Sequence, residues 1–131
     1  MPKAVICEKN IEYQKTISDY LKSLGFECLI PSTHEEALGM INLEDISVII
    51  LGEEYSEIIK EISSFPMYRR REIIVFLLKE SHSTMDRLSA FIFGADFIIN
   101  PKDLNNFSAI FRKAYSEHQK TYKLFKEILA K

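Results

Sequence analysis

Glu8 and Lys9 directly follow the apolar run 4–7, and Glu53 and Glu54 directly follow the run 47–52. Ligands in open parallel sheets gather just beyond the carboxyl ends of such runs, so these residues are the first place to look for chemistry. The second run stops on Gly52, which offers no side chain. A reading without chemistry stands beside this one. Glu53 and Glu54 are then solvent-exposed residues at the start of a helix, where the dipole favours acid. Alternatively, Lys9 forms an ion pair with Glu8, Glu53 or Glu54.

The remaining reactive side chains are scattered. His34 lies at a helix start, His82 in a loop and His118 on the last helix, and none has metal-ligand company at useful spacing. All three read as surface histidines, and no metal or other cofactor is expected. Arg69, Arg70 and Arg71 stand together in the stretch 67–72, which reads as a solvated loop rather than a phosphate or nucleic-acid site. Cys7 and Cys28 sit in apolar runs and read as buried thiols. There is no Gly-rich phosphate loop, nucleophile elbow or carboxylate pair suited to acid–base work, so an enzyme is not expected.

The elements that must position these residues alternate regularly. Runs 4–7, 26–30, 47–52, 73–78 and 97–99 are short, apolar and β-rich. The third and fourth do not alternate with polar residues, as expected of strands covered on both faces. Helical spacing follows each run: Ile11, Ile17, Tyr20, Leu21 and Leu24; Ala37, Leu38, Met40 and Ile41; Tyr55, Ile58, Ile59 and Ile62; Leu88, Ala90, Phe91, Ile92 and Phe93; and Leu104 through Leu129. Thr33 and Glu36 fit a capping box, and the stretch 83–86 has N-cap spacing from Ser83 to Asp86. Gly25 and Gly94 offer helix stops. Five strand–helix units with short connections predict a three-layer α/β/α sandwich in one domain, 1–131.

The 131 residues are 47% hydrophobic and 27% charged, with a formal net charge of −2. Such a chain can build a real core, and nucleic acid is not an expected partner. No run has membrane-spanning length and no signal-peptide pattern is present, so the expected location is the cytoplasm. Residues 1–100 carry 10 Lys/Arg against 16 Asp/Glu, whereas 101–131 carry 7 against 3, so the last helix is a separate electrostatic surface.

The order of elements, together with the stretch Gly94-Ala95-Asp96-Phe97-Ile98-Ile99-Asn100-Pro101, resembles the receiver domain of bacterial response regulators. The likeness covers roughly 3–118 and implies a flavodoxin-like parallel sheet of order 2-1-3-4-5. Receivers hold Mg²⁺ with two adjacent acidic residues after the first strand, which correspond here to Glu8 and Lys9. Their phosphoryl-accepting Asp corresponds to Gly52. Their Thr or Ser falls on Leu77, or on Leu78 if the register slips by one, and their Lys falls on Asn100. Four of these five positions have lost the required chemistry, so the resemblance implies a degenerate receiver that is not phosphorylated. Slippage by one residue would place Glu53 near the acceptor position, making it an atypical acceptor or a phosphomimetic. The vacated pocket at the strand ends could also serve a small-ligand sensor.

Receivers signal through the fourth helix, fifth strand and fifth helix. Phe97 matches the family's switch aromatic, and Ile92 with Phe93 suggests an apolar outer edge on the fourth helix. If the last helix runs from about residue 105 to 129, it is roughly 37 Å long, well beyond a five-residue strand. Its end, about 119–131, is then expected to overhang, with Tyr122, Phe125, Ile128 and Leu129 as an apolar stripe among lysines. A stripe with no core to cover wants a partner, either a second copy or another protein. The expected function is a phosphorylation-independent protein–protein interaction module of bacterial two-component signalling.

Overall fold

The computed structural model describes residues 2–43 and 45–129, with the backbone alone for Arg87 and 122–129. Strands β1 (Lys3–Cys7), β2 (Glu27–Leu29), β3 (Ile46–Leu51), β4 (Ile74–Leu78) and β5 (Phe97–Ile99) form one sheet. All pairings are parallel and the order is β2-β1-β3-β4-β5, as expected from the resemblance. Helices α1 (Ile11–Ser23) and α6 (Phe107–Leu129) cover one face. Helices α2 (His34–Leu43), α3 (Ile58–Ser63) and α5 (Arg87–Phe93) cover the other.

The unbroken apolar strands follow from this layering. On β3, Ile49 and Leu51 enter one core while Val48 and Ile50 enter the other, and β4 divides in the same way. Each buried Leu or Ile of β3 and β4 contributes about 2 kcal/mol of transfer free energy, so the central strands anchor the domain. Phe76 of β4 stacks on Phe97 of β5 and on Phe111 of α6, with ring centroids 5.6 and 5.9 Å apart. The Phe97 ring is thereby held against the sheet.

Three local expectations are corrected. The stretch Met67–Glu72 is a short helix, α4, rather than a loop. It buries no residue, so its arginines hold it instead. Arg69 lies 4.3 Å over the Phe65 ring and donates to the Ile41 carbonyl. Arg70 forks onto Asp96 at 3.1 and 3.3 Å and donates to the Ile73 carbonyl. The cap of α5 is Asp86, not Ser83: its carboxylate accepts from the Ser89 amide at 3.0 Å. Met85 adopts φ 66°, a left-handed turn that breaks the spacing read from Ser83. Finally, a 3-10 turn, Pro101–Asn106, precedes α6, which begins at Phe107.

Thr33 caps α2 as expected, its hydroxyl accepting from the Glu36 amide at 3.1 Å. The reciprocal bond runs from the Ser32 amide to Glu36, one residue earlier than a strict box requires. Gly94 ends α5 at φ 83°, and a Cβ there would lie 2.8 Å from an Ile59 methyl, so glycine is required twice over.

Candidate functional site

The carboxyl ends of β1, β3, β4 and β5 converge on a cleft of about 470 Å³ lined by Glu8, Lys9, Glu53, Glu54, Leu78 and Glu80, among others. Parallel sheets place ligands at such edges because loops from neighbouring strands open there. The Gly52 amide donates to the Cys7 carbonyl at 2.7 Å, so residues 8 and 52 leave the sheet side by side.

Gly52 has φ −72°, a conformation open to any residue. Its glycine is explained by room. A Cβ at residue 52 would come within 2.9 Å of the Glu8 carboxyl carbon, and closer still to one of its oxygens. The half-buried Glu8 side chain thus occupies the space that a side chain at 52 would need. One Glu8 oxygen accepts from the Asn10 amide at 3.1 Å, and the Glu8 carbonyl accepts from the Gln14 side chain. Asn10 in turn caps α1 through the Glu12 and Tyr13 amides. The loop after β1 is therefore built to direct Glu8 over Gly52.

Of the three carboxylates open to Lys9, the lysine pairs with Glu54, at 2.8 Å. Both side chains are 60% exposed, so solvent screening leaves this pair little strength. Hydrogen bonding to Glu54, then its charge, raises the Lys9 pKa. Glu53 points the other way and accepts from the Glu80 amide at 2.8 Å, joining the β3–α3 connection to the loop after β4. The two glutamates are exposed in a 3-10 turn, Glu53–Tyr55, yet each has a partner. His34 is exposed, as expected, but it also stacks on Tyr55 at 4.6 Å and donates from Nε2 to the Glu54 carbonyl.

Register decides between Leu77 and Leu78. Leu51 pairs with Leu77, so Leu78 lies beside Gly52 and lines the cleft. Leu77 turns into the core shared with α2 and α3, so the slipped register is the one that faces the cleft. Asn100 is buried, and its side-chain amide is fully engaged as a donor. The nitrogen donates to the Glu80 and His82 carbonyls, both at 3.0 Å, and the oxygen accepts from the Lys102 amide at 3.1 Å. Its backbone amide donates to Thr84 Oγ1 at 2.9 Å, and that hydroxyl donates to Asp103 at 2.5 Å. The loop between β4 and α5 is thus tied to the end of β5 along its length, with the Met85 amide donating to the Ile98 carbonyl at 2.8 Å as a further link.

The resemblance implies a Mg²⁺ ion at this edge, and the donor set does not fit one. Glu8 is the single carboxylate among the three positions concerned, Lys9 brings an ammonium group, and Gly52 brings nothing. Among the described residues, no three His, Cys, Asp or Glu side chains converge as metal ligands would.

The second set of predicted residues lies on α5, β5 and α6. Ile92 is exposed, but Phe93 is not part of the outer edge. Its ring packs inward beneath Lys79 Nζ, 4.6 Å from the centroid, and meets His82 edge-on at 5.2 Å. Leu88, Phe91 and Ile92 form the apolar face instead, 71%, 83% and 67% exposed. Phe97 is buried against Phe76 rather than presented on the surface. The side chains of Tyr122, Phe125 and Leu129 lie outside the described residues. The helix carrying them is continuous to Leu129, while its last fully buried side chain described is Ala114.

Sequence reasoning missed the cluster at Asp96. This carboxylate accepts from Arg70 and from the Val75 amide at 2.8 Å, bracing β4 against β5. Asp96 stood in the quoted motif, and the arginine run supplied its partner, but 26 residues separate them. His118 is half-buried rather than on the surface, within reach of the charges of this pair. Burial lowers its pKa first of all. The Arg70 charge adds to that, while Asp96 and a hydrogen bond to the Arg71 backbone oppose it. Burial pushes the Cys7 thiol up to about 12.

No protein-family model and no curated protein sequence matches the chain. Solved structures do. The receiver domain of the Francisella response regulator 1452 superposes with a TM-score of 0.68 at 16% identity, covering 92% of this chain and 99% of that one. The N-terminal domain of the nisin resistance regulator NsrR, a lantibiotic response regulator, gives 0.67 at 18% identity over 87% and 97%. The chemotaxis response regulator CheY4 of Vibrio cholerae gives 0.63 at 18% identity over 84% and 98%. At this identity the likeness concerns architecture: the chain has the fold of a response regulator receiver domain.

Proposed function

We propose that this chain is a phosphorylation-independent receiver-like module that acts in signal transduction by binding protein. The observation that carries this reading is the seating of the Glu8 carboxylate over Gly52, where an acceptor side chain would have to stand. A nucleophile, a divalent ion and a free cation are all needed for phosphoryl transfer to a carboxylate. The nucleophile's place is filled by Glu8, Lys9 is engaged by Glu54, and the position of the family's lysine is held by the bonded amide of Asn100. In receivers the switch aromatic moves when the Thr or Ser binds phosphate. Here a leucine stands in that place, the loop after β4 is bonded to Asn100 and Glu53, and Phe97 is stacked on Phe76. A single fixed state suits constitutive contacts through α5, β5 and α6.

The test is incubation with acetyl phosphate and Mg²⁺, read by intact mass. The expected result is unmodified protein. A phosphoryl adduct that is lost in Glu53→Gln would instead support the atypical acceptor. A second reading draws on the cleft itself: about 470 Å³ lies in the range of small-ligand sites. A thermal-shift panel of small polar metabolites decides it, since a sensor would gain stability with one compound and lose that gain in Lys9→Ala.

A further inference from the structure

We infer that the notch between α4 and the overhanging end of α6 receives an acidic amphipathic helix of a partner protein. This inference rests on the reading that the module works by protein contact; it adds a second surface and names the chemistry of the partner. The surface begins with α4, which stands outside the five strand–helix units and buries no residue. Its arginines nevertheless tie it to Ile41 of α2 and to Asp96 before β5. The apolar side chains it presents are Met67 and Tyr68, 67% and 74% exposed. Met67 Sδ lies 3.9 Å from Arg71 Nη2, one turn on, and the Arg71 backbone is bonded to His118 of α6. The two helices thus meet at residue 118. From there α6 continues to Leu129, about 16 Å further. That leaves room for one helix, about 10 Å across, laid against both.

Phe107, Phe111 and Ala114 are buried along one line of α6, and positions 118, 122, 125 and 129 continue that line by helical spacing. In sequence the last three are Tyr122, Phe125 and Leu129, so the line stays apolar past the domain. Charge selects the other side of the occupant. Positions 120, 123 and 126, which flank or back that line, are lysines against one acid, Glu127. A helix diameter is about one Debye length, so these charges act across the notch. Arg69 adds a cation on α4, since its contacts are a carbonyl and a ring, and neither cancels its charge. An apolar notch with cations on both walls suits a helix with one apolar face and acidic flanks. The chain's own end cannot turn back into it, because α6 runs unbroken and no glycine or proline follows Pro101. Nor can a flat bilayer reach the line, because the domain lies on the same side of α6, over Phe107, Phe111 and Ala114.

The experiment titrates the full-length chain into a fluorescein-labelled helical peptide and follows its anisotropy. The peptide has leucine at i, i+3, i+4 and i+7 positions, with glutamate and alanine elsewhere; a second peptide has lysine in place of glutamate. The glutamate peptide should bind, more weakly at high salt, and the lysine peptide should not. Tyr68→Glu and Phe125→Glu, one on each wall, should each weaken binding roughly tenfold or more, as expected when an apolar anchor is replaced by a charge. Met67→Glu serves as a second variant of α4, and melts by circular dichroism report folding. Ile11→Glu, at an exposed apolar position of α1, should leave binding unchanged. A glutamate peptide that does not bind, or two peptides bound equally, overturns the inference. So does binding that survives in Tyr68→Glu, Met67→Glu and Phe125→Glu. Self-association abolished by Phe125→Glu would put a second copy in the notch, and uptake by phosphatidylglycerol vesicles lost in the same variant would put a bilayer there; either overturns it. Absence of peptide binding in a chain that takes up no phosphoryl group leaves the proposed function standing with another partner. Peptide binding that appears only after phosphorylation defeats that function instead.

Discussion

Replacing Gly52 with aspartate restores the residue that receivers use as acceptor, yet it should not restore the reaction. The new Cβ would stand within 2.9 Å of the Glu8 carboxyl carbon, so Glu8 must leave its seat. Leaving breaks its bond from the Asn10 amide, worth about 1 kcal/mol net. The two carboxylates then share one end of the cleft, with a repulsion of about 1 kcal/mol at 4 Å in water and up to about 4 at an effective dielectric of 20. The cleft is open, so the lower part of that range applies, and a total loss of about 2–3 kcal/mol is expected. Gly52→Ala carries the steric part without the charge and should cost about 1 kcal/mol. Urea denaturation of the wild type and the two variants at neutral pH measures both steps. Repeating it at high salt, which screens the repulsion between exposed charges, should narrow the gap between Gly52→Asp and Gly52→Ala. A Gly52→Asp protein that is as stable as the wild type and accepts a phosphoryl group from acetyl phosphate would refute the steric and electrostatic account of this site.

Three further outcomes follow from the same geometry. Asn100→Ala removes three side-chain bonds and should cost about 2–3 kcal/mol, with faster amide hydrogen exchange confined to the loop 79–86. Uniform exchange across the domain would count against the clasp. His118 has a folded pKa below its ordinary 6.5, so the unfolded chain takes up the proton first as pH falls. Its contribution to stability is full above pH 6.5 and declines as pH falls from 6.5 through the folded value. Denaturation curves across that window should show the decline in the wild type and a flatter dependence in His118→Gln; parallel profiles would contradict it. Cys7, pushed up to about 12, should resist thiol reagents in the native state, while the half-buried Cys28 reacts first. Equal labelling rates for the two thiols, followed by mass spectrometry of the digested protein, would speak against that burial.

The fold was legible because its central strands are covered on both faces. Residues 47–52 and 73–78 show this as unbroken apolar runs, and each following helix shows its own period. The rest depended on proximity in three dimensions. Nothing in a sequence marks Glu8 as the group that fills the space over Gly52, since the two belong to different strand–helix units and meet only when β1 pairs with β3. Asn100 was legible as a lost charge but not as a clasp, because its partners are carbonyls of a loop. The arginines 69–71 read as solvated because polar runs carry no period. Their role comes from Phe65, Ile41 and Asp96, contacts that only the folded chain makes. Leu77 and Leu78 are equivalent in sequence, and only the pairing of Leu51 with Leu77 separates them.

A filled strand-end site and a fixed loop beyond it are tested most directly by a pair of amide nitrogen–proton NMR spectra of the wild type, without and with Mg²⁺ and acetyl phosphate. The amides of Gly52, Glu53, the loop 79–86 and Phe97 are expected to keep their positions. Concerted shifts along that path, saturating with Mg²⁺ or appearing only with the phosphoryl donor, would contradict it.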